Sequence, residues 1–350
     1  MIMNEFKIGN IPVGGKNKTF IIAEVAQAHE GSLGTAIAFI DAAAAAGADA
    51  IKFQTHIADA ESTIDDQFRV KFSYQDSSRY AYWKRMEFNE TQWKLLSEHA
   101  KAKGLVFLSS AFSIEAFNLL NSLSMPAWKI ASGETSSNEI LQKMIETQKP
   151  ILLSTGMSKM SEILNTCEYL HKSNVDFVLL QCTSKYPTKL EEIGLNVIDD
   201  FKELGCLVGL SDHSGTIYPA MAAIARGVSV VELHLTFNKK MFGPDNSSSI
   251  TFEDLSLIRD FRNAIYQMDM NPVDKTNLTH DLKKMRDLFN RSLTFKKDQP
   301  KGKIITREML TTKKPGTGIS YSDANKLLGK PLNKDVPFNR LIKWSDIDDI

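Results

Sequence analysis

Two consecutive apolar runs in this chain end in histidine. One reads Leu207-Val208-Gly209-Leu210-Ser211-Asp212-His213, the next Val228-Ser229-Val230-Val231-Glu232-Leu233-His234. Both are apolar runs of strand length, the second rich in valine, and a helix-like segment separates them. As parallel neighbours they would place their C-terminal ends side by side, with both imidazoles facing one cleft, near enough to share one divalent metal ion. A single histidine in such a place is more often structural; a pair at matching points favours a site. Two neutral imidazoles suit Mn2+, Zn2+, Co2+ or Fe2+ better than Ca2+.

Other strand-like runs end in the same manner. In chain order the ends present Glu24, then Lys52 and Gln54, then Ser109 and Ser110. Lys129, Ser132 and Glu134 follow, then Ser154 and Thr155, Thr183, Ser184 and Tyr186, Ser211 and Asp212, and Glu232. Two lysines and several hydroxyls converging on one mouth suit a phosphorylated, anionic substrate. Glu24 and Glu134 are candidates for carrying protons or clamping sugar hydroxyls. No Ser-His-Asp order can be assigned. A desolvated Lys52 or Lys129 could instead form a Schiff base, which defines a rival class, the metal-independent aldolase.

Eight buried strands must hold these ends: 20–25, 50–54, 105–110, 127–132, 150–155, 176–182, 206–211 and 229–234. Helical patterns lie between them; the Ala-rich stretch 33–46, stopped by Gly47, is the clearest. Eight strand–helix alternations predict an α/β fold, a closed (β/α)8 TIM barrel, whose chemistry sits at the C-terminal ends of its strands. An open doubly wound sheet would show a glycine-rich fingerprint after its first strand, and none is present. Residues 56–90 form a long insertion with Phe68, Arg69, Lys71, Tyr74, Arg79, Tyr82, Trp83, Lys84 and Arg85, read equally as a binding loop or a surface excursion. His56, His99, His171 and His280 are read as surface or structural residues, and His29 as ordering the loop after the first strand or lining the mouth rather than as a ligand. The rhythm breaks after Met270. A barrel over 1–270, a linker over 271–290 and a small β-rich domain over 291–350 are expected.

The 350 residues carry 42 Lys+Arg against 42 Asp+Glu, so charge gives no reason to expect nucleic-acid or membrane partners. No run approaches the roughly 18 apolar residues of a membrane span, and no secretory leader is seen. Three scattered cysteines do not make a disulfide framework. A cytoplasmic protein is expected.

The chain resembles the sialic acid synthases, and more broadly the nonulosonic acid synthases. The resemblance rests on Ile21-Ile22-Ala23-Glu24, Lys52-Phe53-Gln54-Thr55, Lys129-Ile130-Ala131-Ser132-Gly133-Glu134, Leu153-Ser154-Thr155-Gly156-Met157, Thr183-Ser184-Lys185-Tyr186-Pro187, Gly209-Leu210-Ser211-Asp212-His213, His234-Leu235-Thr236 and Gly243-Pro244-Asp245. The tail, with Lys314-Pro315-Gly316-Thr317-Gly318, resembles the family's antifreeze-like (SAF) domain.

The resemblance implies condensation of phosphoenolpyruvate with an N-acetylmannosamine-type sugar to give N-acetylneuraminate and phosphate. The same reaction on a diacetamido-trideoxyhexose, giving legionaminic or pseudaminic acid, is the alternative. It implies phosphoenolpyruvate binding by Lys52, Ser110, Lys129, Ser132, Ser154, Ser184 and Ser211, and Mn2+ (or Co2+, Mg2+ or Zn2+) on His213 and His234. Gln54, Glu134, Tyr186 and Asp245 would meet the open-chain sugar. In the family's domain-swapped homodimer, Lys314 would reach the partner's sugar. Ala28, Ser110-Ala111, Ser184, Leu233 and Lys314 depart from the family's common residues, and a lysine at 314 lacks the planar fork of arginine. These departures bear on the sugar rather than on the reaction class.

Overall fold

The computed structural model describes residues 5–68, 72–134 and 138–348. Arg69 and Lys71, counted above among the basic residues of the insertion, lie outside the described residues. The chain divides into two units, Met1–Asn271 and Pro272–Ile350.

The first unit begins with an antiparallel hairpin, β1 (Glu5–Ile8) and β2 (Ile11–Gly14), which the sequence reading did not foresee. Eight parallel strands then close into a barrel: β3 (Phe20–Ala26), β4 (Ala50–Thr55), β5 (Val106–Ala111), β6 (Trp128–Ile130), β7 (Ile151–Ser154), β8 (Phe177–Cys182), β9 (Leu207–Asp212) and β10 (Val230–His234). β10 pairs with β3 to complete the circle. The strands are buried on both faces, as expected where helices cover the outside and side chains fill the inside. Helix Leu33–Ala46 illustrates the outer layer. Ser32 caps its start, Gly47 ends it at φ 85°, and Ala36, Phe39, Ile40 and Ala43 turn one stripe to the sheet. At the opposite end of the barrel from the site, the hairpin buries Ile8 and Val13. Its turn glycine, Gly9, lies against Val106, the first residue of β5, and Pro126 just ahead of β6.

Register brings the chemistry to one level. Across neighbouring strands His234 pairs with Glu24, Glu24 with Lys52, Gln54 with Ser110, Ser110 with Lys129, and Ser211 with Glu232. A bulge follows Glu24 on β3, where Ala26 takes φ 48°; bulges of this kind re-aim side chains beside active sites.

The insertion carries two helices, Ala58–Glu61 and Arg79–Met86. It is anchored to the barrel. Arg85 pairs with Asp76 at 2.8 Å and with Glu30 of the loop after β3 at 3.0 Å. Gly31, at φ 75°, leaves room for the Arg85 carbonyl, which a Cβ would meet at 2.2 Å. The even choice between binding loop and surface excursion therefore resolves toward the site.

The second unit contains helix His280–Phe289 and an antiparallel pair, β11 (Ser292–Phe295) with β12 (Leu310–Lys313). It has its own core around Leu293, Phe295, Ile305, Leu327, Val336 and Ile342. Buried Asp346 is held by Arg340 at 2.8 Å and Lys334 at 2.9 Å.

Candidate active site

Four charged side chains meet inside the mouth of the barrel. The Lys52 ammonium lies 2.6 Å from Glu24 and 3.8 Å from Glu232; that of Lys129 lies 3.4 Å from Glu232. Hydroxyls surround them. Lys129 donates to Ser154 at 2.8 Å, Lys52 to Ser110 at 3.4 Å, and Ser211 donates to Glu232 at 2.9 Å. All four charged residues are buried. Burial lifts the Glu24 carboxyl to about 7 against the pull of Lys52. Burial would lift Glu232 too, but Lys129 and Lys52 outweigh it and hold that carboxyl at about 2. Burial also opposes the Lys52 ammonium, yet Glu232 and Glu24 keep its pKa above the ordinary lysine value, whereas burial lowers that of Lys129. Glu232 is thus the permanent anion between two cations, and Glu24 is the carboxyl poised to exchange a proton. One dense anion now faces two dense cations, so an incoming phosphate or carboxylate finds positive charge already fixed in place.

The two histidines stand beside this cluster, with ring centroids 5.1 Å apart. Burial pushes His213 down to about 4 and His234 well below the usual imidazole value, so both rings are neutral. Nδ1 of His213 faces the Thr183 carbonyl at 3.1 Å, and Nε2 faces the Tyr186 hydroxyl at 3.2 Å. A proton on Nδ1 bonded to that carbonyl leaves the Nε2 lone pair toward the cleft, the second-sphere arrangement of metal-binding histidines. Nδ1 of His234 is buried without a hydrogen-bond partner, and Asp245 Oδ2 lies 3.8 Å from it. An orphaned, neutral imidazole nitrogen beside a second imidazole fits a divalent ion with bonds of roughly 2.0–2.1 Å. Among the described residues no three His, Cys, Asp or Glu converge as a ready-made metal cage.

The cleft above has a volume of about 700 Å³. Its floor includes Lys52, Ser110, Lys129, Ser154, Ser211 and Glu232; Gln54, Glu134, Tyr186 and Asp245 line the wall. Gly156 shapes a cradle there. A Cβ on it would sit 2.5 Å from Ser184 Oγ and 2.9 Å from both Ser132 Oγ and Cys182 Sγ. The insertion adds the rings of Phe68, Phe72, Tyr82 and Trp83, along with the polar Glu61, Asp66 and Arg79.

A model of the NeuB family matches residues 39–271, which contain all but the first strand of the barrel, and a SAF domain model matches 290–348. The chain belongs to the NeuB family. Its relatives include the N,N'-diacetyllegionaminic acid synthase of Campylobacter jejuni, 34% identical over 93% of this chain and 99% of that protein. The pseudaminic acid synthase of Campylobacter jejuni is also 34% identical, over 97% and 99%. Among solved structures, the N-acetylneuraminic acid synthetase of Leptospira borgpetersenii, in complex with citrate, superposes with a TM-score of 0.70 at 28% identity, over 81% of this chain and 95% of that one. This NeuB-family protein is an enzyme, a synthase of the transferase type that uses phosphoenolpyruvate.

Of the fifteen residues given a catalytic, binding or metal-holding role from the sequence, the NeuB-family barrel brings fourteen to this one cleft; of the other strand-end residues, Glu232 lines it, and Ser109, Thr155, Thr183 and Asp212 do not. Lys314 belongs to the second unit, exposed, with its ammonium 4.9 Å over the Phe289 ring. His29 orders its loop, as expected, by accepting from the Gly31 amide at 3.0 Å. Two residues were undervalued. Glu232 appeared among the strand ends but was given no role, although it joins both lysines. Its parity with His234, two residues on, was the available signal, because alternate residues of a strand share a face. His56, read as surface or structural, is buried and lines the cleft.

Proposed function

We propose that the enzyme condenses phosphoenolpyruvate with an open-chain N-acylated amino sugar, forming a nonulosonic acid and phosphate. The observation that carries this reading is the pair of buried ammoniums with their serine hydroxyls on the same strand-end ring as two neutral imidazoles. Lys52, Lys129, Ser110, Ser132, Ser154, Ser184 and Ser211 hold the phosphate and carboxylate of phosphoenolpyruvate. Gln54, Glu134, Tyr186 and Asp245 clamp the sugar so that its aldehyde carbon faces the enol carbon. His213 and His234 would hold a divalent ion, Mn2+ ahead of Co2+, Mg2+ or Zn2+, which supplies Lewis acidity at the aldehyde oxygen. The enol C3 attacks the aldehyde carbon, and the new C–C bond leaves positive charge at C2. Water adds to C2; Glu24 takes one of its protons and passes it to the former aldehyde oxygen, which becomes the new hydroxyl, and the C2–O bond to phosphate breaks as the remaining C2 hydroxyl proton leaves with inorganic phosphate, giving the C2 ketone. Much of the rate comes from alignment and from charge fixed in advance.

Two sugars are supported. The sequence resemblance points to an N-acetylmannosamine-type substrate. The 34% identity to the legionaminic and pseudaminic acid synthases gives equal weight to a diacetamido-trideoxyhexose. Phosphate release with phosphoenolpyruvate and a panel of these sugars, with the metal varied, distinguishes them. A metal-stripped His213→Ala/His234→Ala variant at full activity would sink the proposal. So would borohydride trapping of pyruvate on Lys52 or Lys129, which marks a Schiff-base aldolase.

A further inference from the structure

His56 begins the insertion, one residue past β4. Its ring lies between Trp83, at 3.9 Å between centroids and 16° from parallel, and Phe112, at 4.4 Å and 12°. Nδ1 faces Glu61 Oε1 at 2.6 Å, and Nε2 faces Gln54 Oε1 at 3.3 Å. The orientation of the Gln54 amide is set from two sides. Its oxygen accepts from Gln27 Nε2 at 3.2 Å, and its NH2 group donates to Glu24 Oε1 at 3.2 Å. A flip of Gln54 alone would oppose two N–H groups at Gln27 and two oxygens at Glu24. Both nitrogens of His56 therefore face side-chain oxygens, those of Glu61 and of the Gln54 amide, and with Glu61 as a carboxylate both bonds exist together only when the ring carries two N–H groups. The surroundings suit such a cation: a carboxylate at its edge and an aromatic face on each side.

We propose that His56 is a positioning residue. As an imidazolium paired with Glu61 and layered between Trp83 and Phe112, it locks the Gln54 carboxamide so that its NH2 group points at Glu24. The insertion thereby governs the carboxyl that takes the proton from water, as well as walling the sugar cleft. A flipped Gln54 would present an oxygen to Glu24 and remove a donor from one of its two oxygens. This inference rests on the role given to Glu24 above.

Three substitutions separate the lock from mere packing. His56→Phe keeps a flat ring in the aromatic layer and removes both N–H groups. His56→Gln returns one donor toward Gln54, and Glu61→Gln removes the counter-charge at constant size. With phosphoenolpyruvate and the best sugar of the panel, His56→Phe and Glu61→Gln are expected to lower kcat about 10- to 100-fold, as for loss of a hydrogen bond to a charged group, with the KM for phosphoenolpyruvate within about twofold of wild type. His56→Gln, which restores one neutral hydrogen bond, should recover about fivefold of that loss. Equal rates for the Phe and Gln variants, or wild-type kcat in the Phe variant, overturn the proposal. Should His56→Phe fail to fold, Glu61→Gln decides on the same kcat criterion. Histidine-selective 15N NMR of the resting enzyme gives a readout without turnover. Both His56 nitrogens should be protonated, and a single N–H overturns the lock. Wild-type phosphate release on the panel scores the proposed reaction separately.

Discussion

Glu24 and Glu232 show how two identical side chains on adjacent strands acquire opposite duties. Both are buried, but Glu232 sits between two ammoniums and stays ionised, while burial lifts Glu24 to about 7. A group that must accept a proton works only when ionised. In this role kcat/KM should therefore rise as pH climbs through about 7, with little gain beyond pH 8. Glu24→Gln, which preserves size, should lose at least about 10²-fold in kcat and flatten that limb of the profile. A Gln variant with the wild-type pH–rate curve would exclude Glu24 as the base. The chain itself announced most of this site, because each chemical residue ends an apolar run. What it withheld were roles that depend on contacts distant in sequence. His56, just past β4, stacks on Trp83 of the insertion and on Phe112, just past the neighbouring β5, and nothing in its local sequence marks that meeting.

Among the elements, the barrel strands were legible to within one or two residues over most of their length, since continuous apolar runs between helical periods have few other solutions. β6 is the exception: the apolar run 127–132 shrinks to Trp128–Ile130 as the chain turns into the mouth at Ser132. The N-terminal hairpin was not legible, for its strands are four residues each, too short for the alternation of Glu5-Phe6-Lys7-Ile8 to stand out, and Ile11–Gly14 does not alternate. The helices of the insertion were hidden for another reason: long-range pairs such as Arg85 with Glu30 hold them, not periodicity. A pair of the same kind fastens the last barrel helix, Phe252–Asp269. Its buried Arg262 reaches Asp49, ahead of β4, and Asp49 also accepts from the Ile21 amide at 2.8 Å. Arg262→Ala would strand a carboxylate that burial already disfavours. Denaturant unfolding should show a loss of about 2–4 kcal/mol, at or just below the range for breaking a buried pair. A loss under about 0.5 kcal/mol would show the pair to be no more than a surface one.

On the scale of the whole chain, every residue lining the cleft precedes Phe252, within the first unit. A chain ending at Asn271 is therefore expected to fold and to bind phosphoenolpyruvate in calorimetry with affinity within a few-fold of the full protein. If Lys314 of a second copy completes the sugar subsite, as the family resemblance implies, the truncated chain should lose sugar turnover while keeping that affinity. Loss of both would mean the barrel does not stand without its tail. Among the described residues no helix is long and apolar enough to cross a membrane.

The hairpin seated on Val106 and Pro126 has a kinetic consequence. The hairpin covers one end of the barrel, and at the other the lysines lie deeper than the half-buried Gln54, Glu134 and Asp245. The smaller, doubly anionic reactant must then enter ahead of the sugar, and inorganic phosphate must wait beneath the new nine-carbon acid until that has departed. Added phosphate should accordingly compete with phosphoenolpyruvate but not with the sugar; the reverse pattern would mean a back exit.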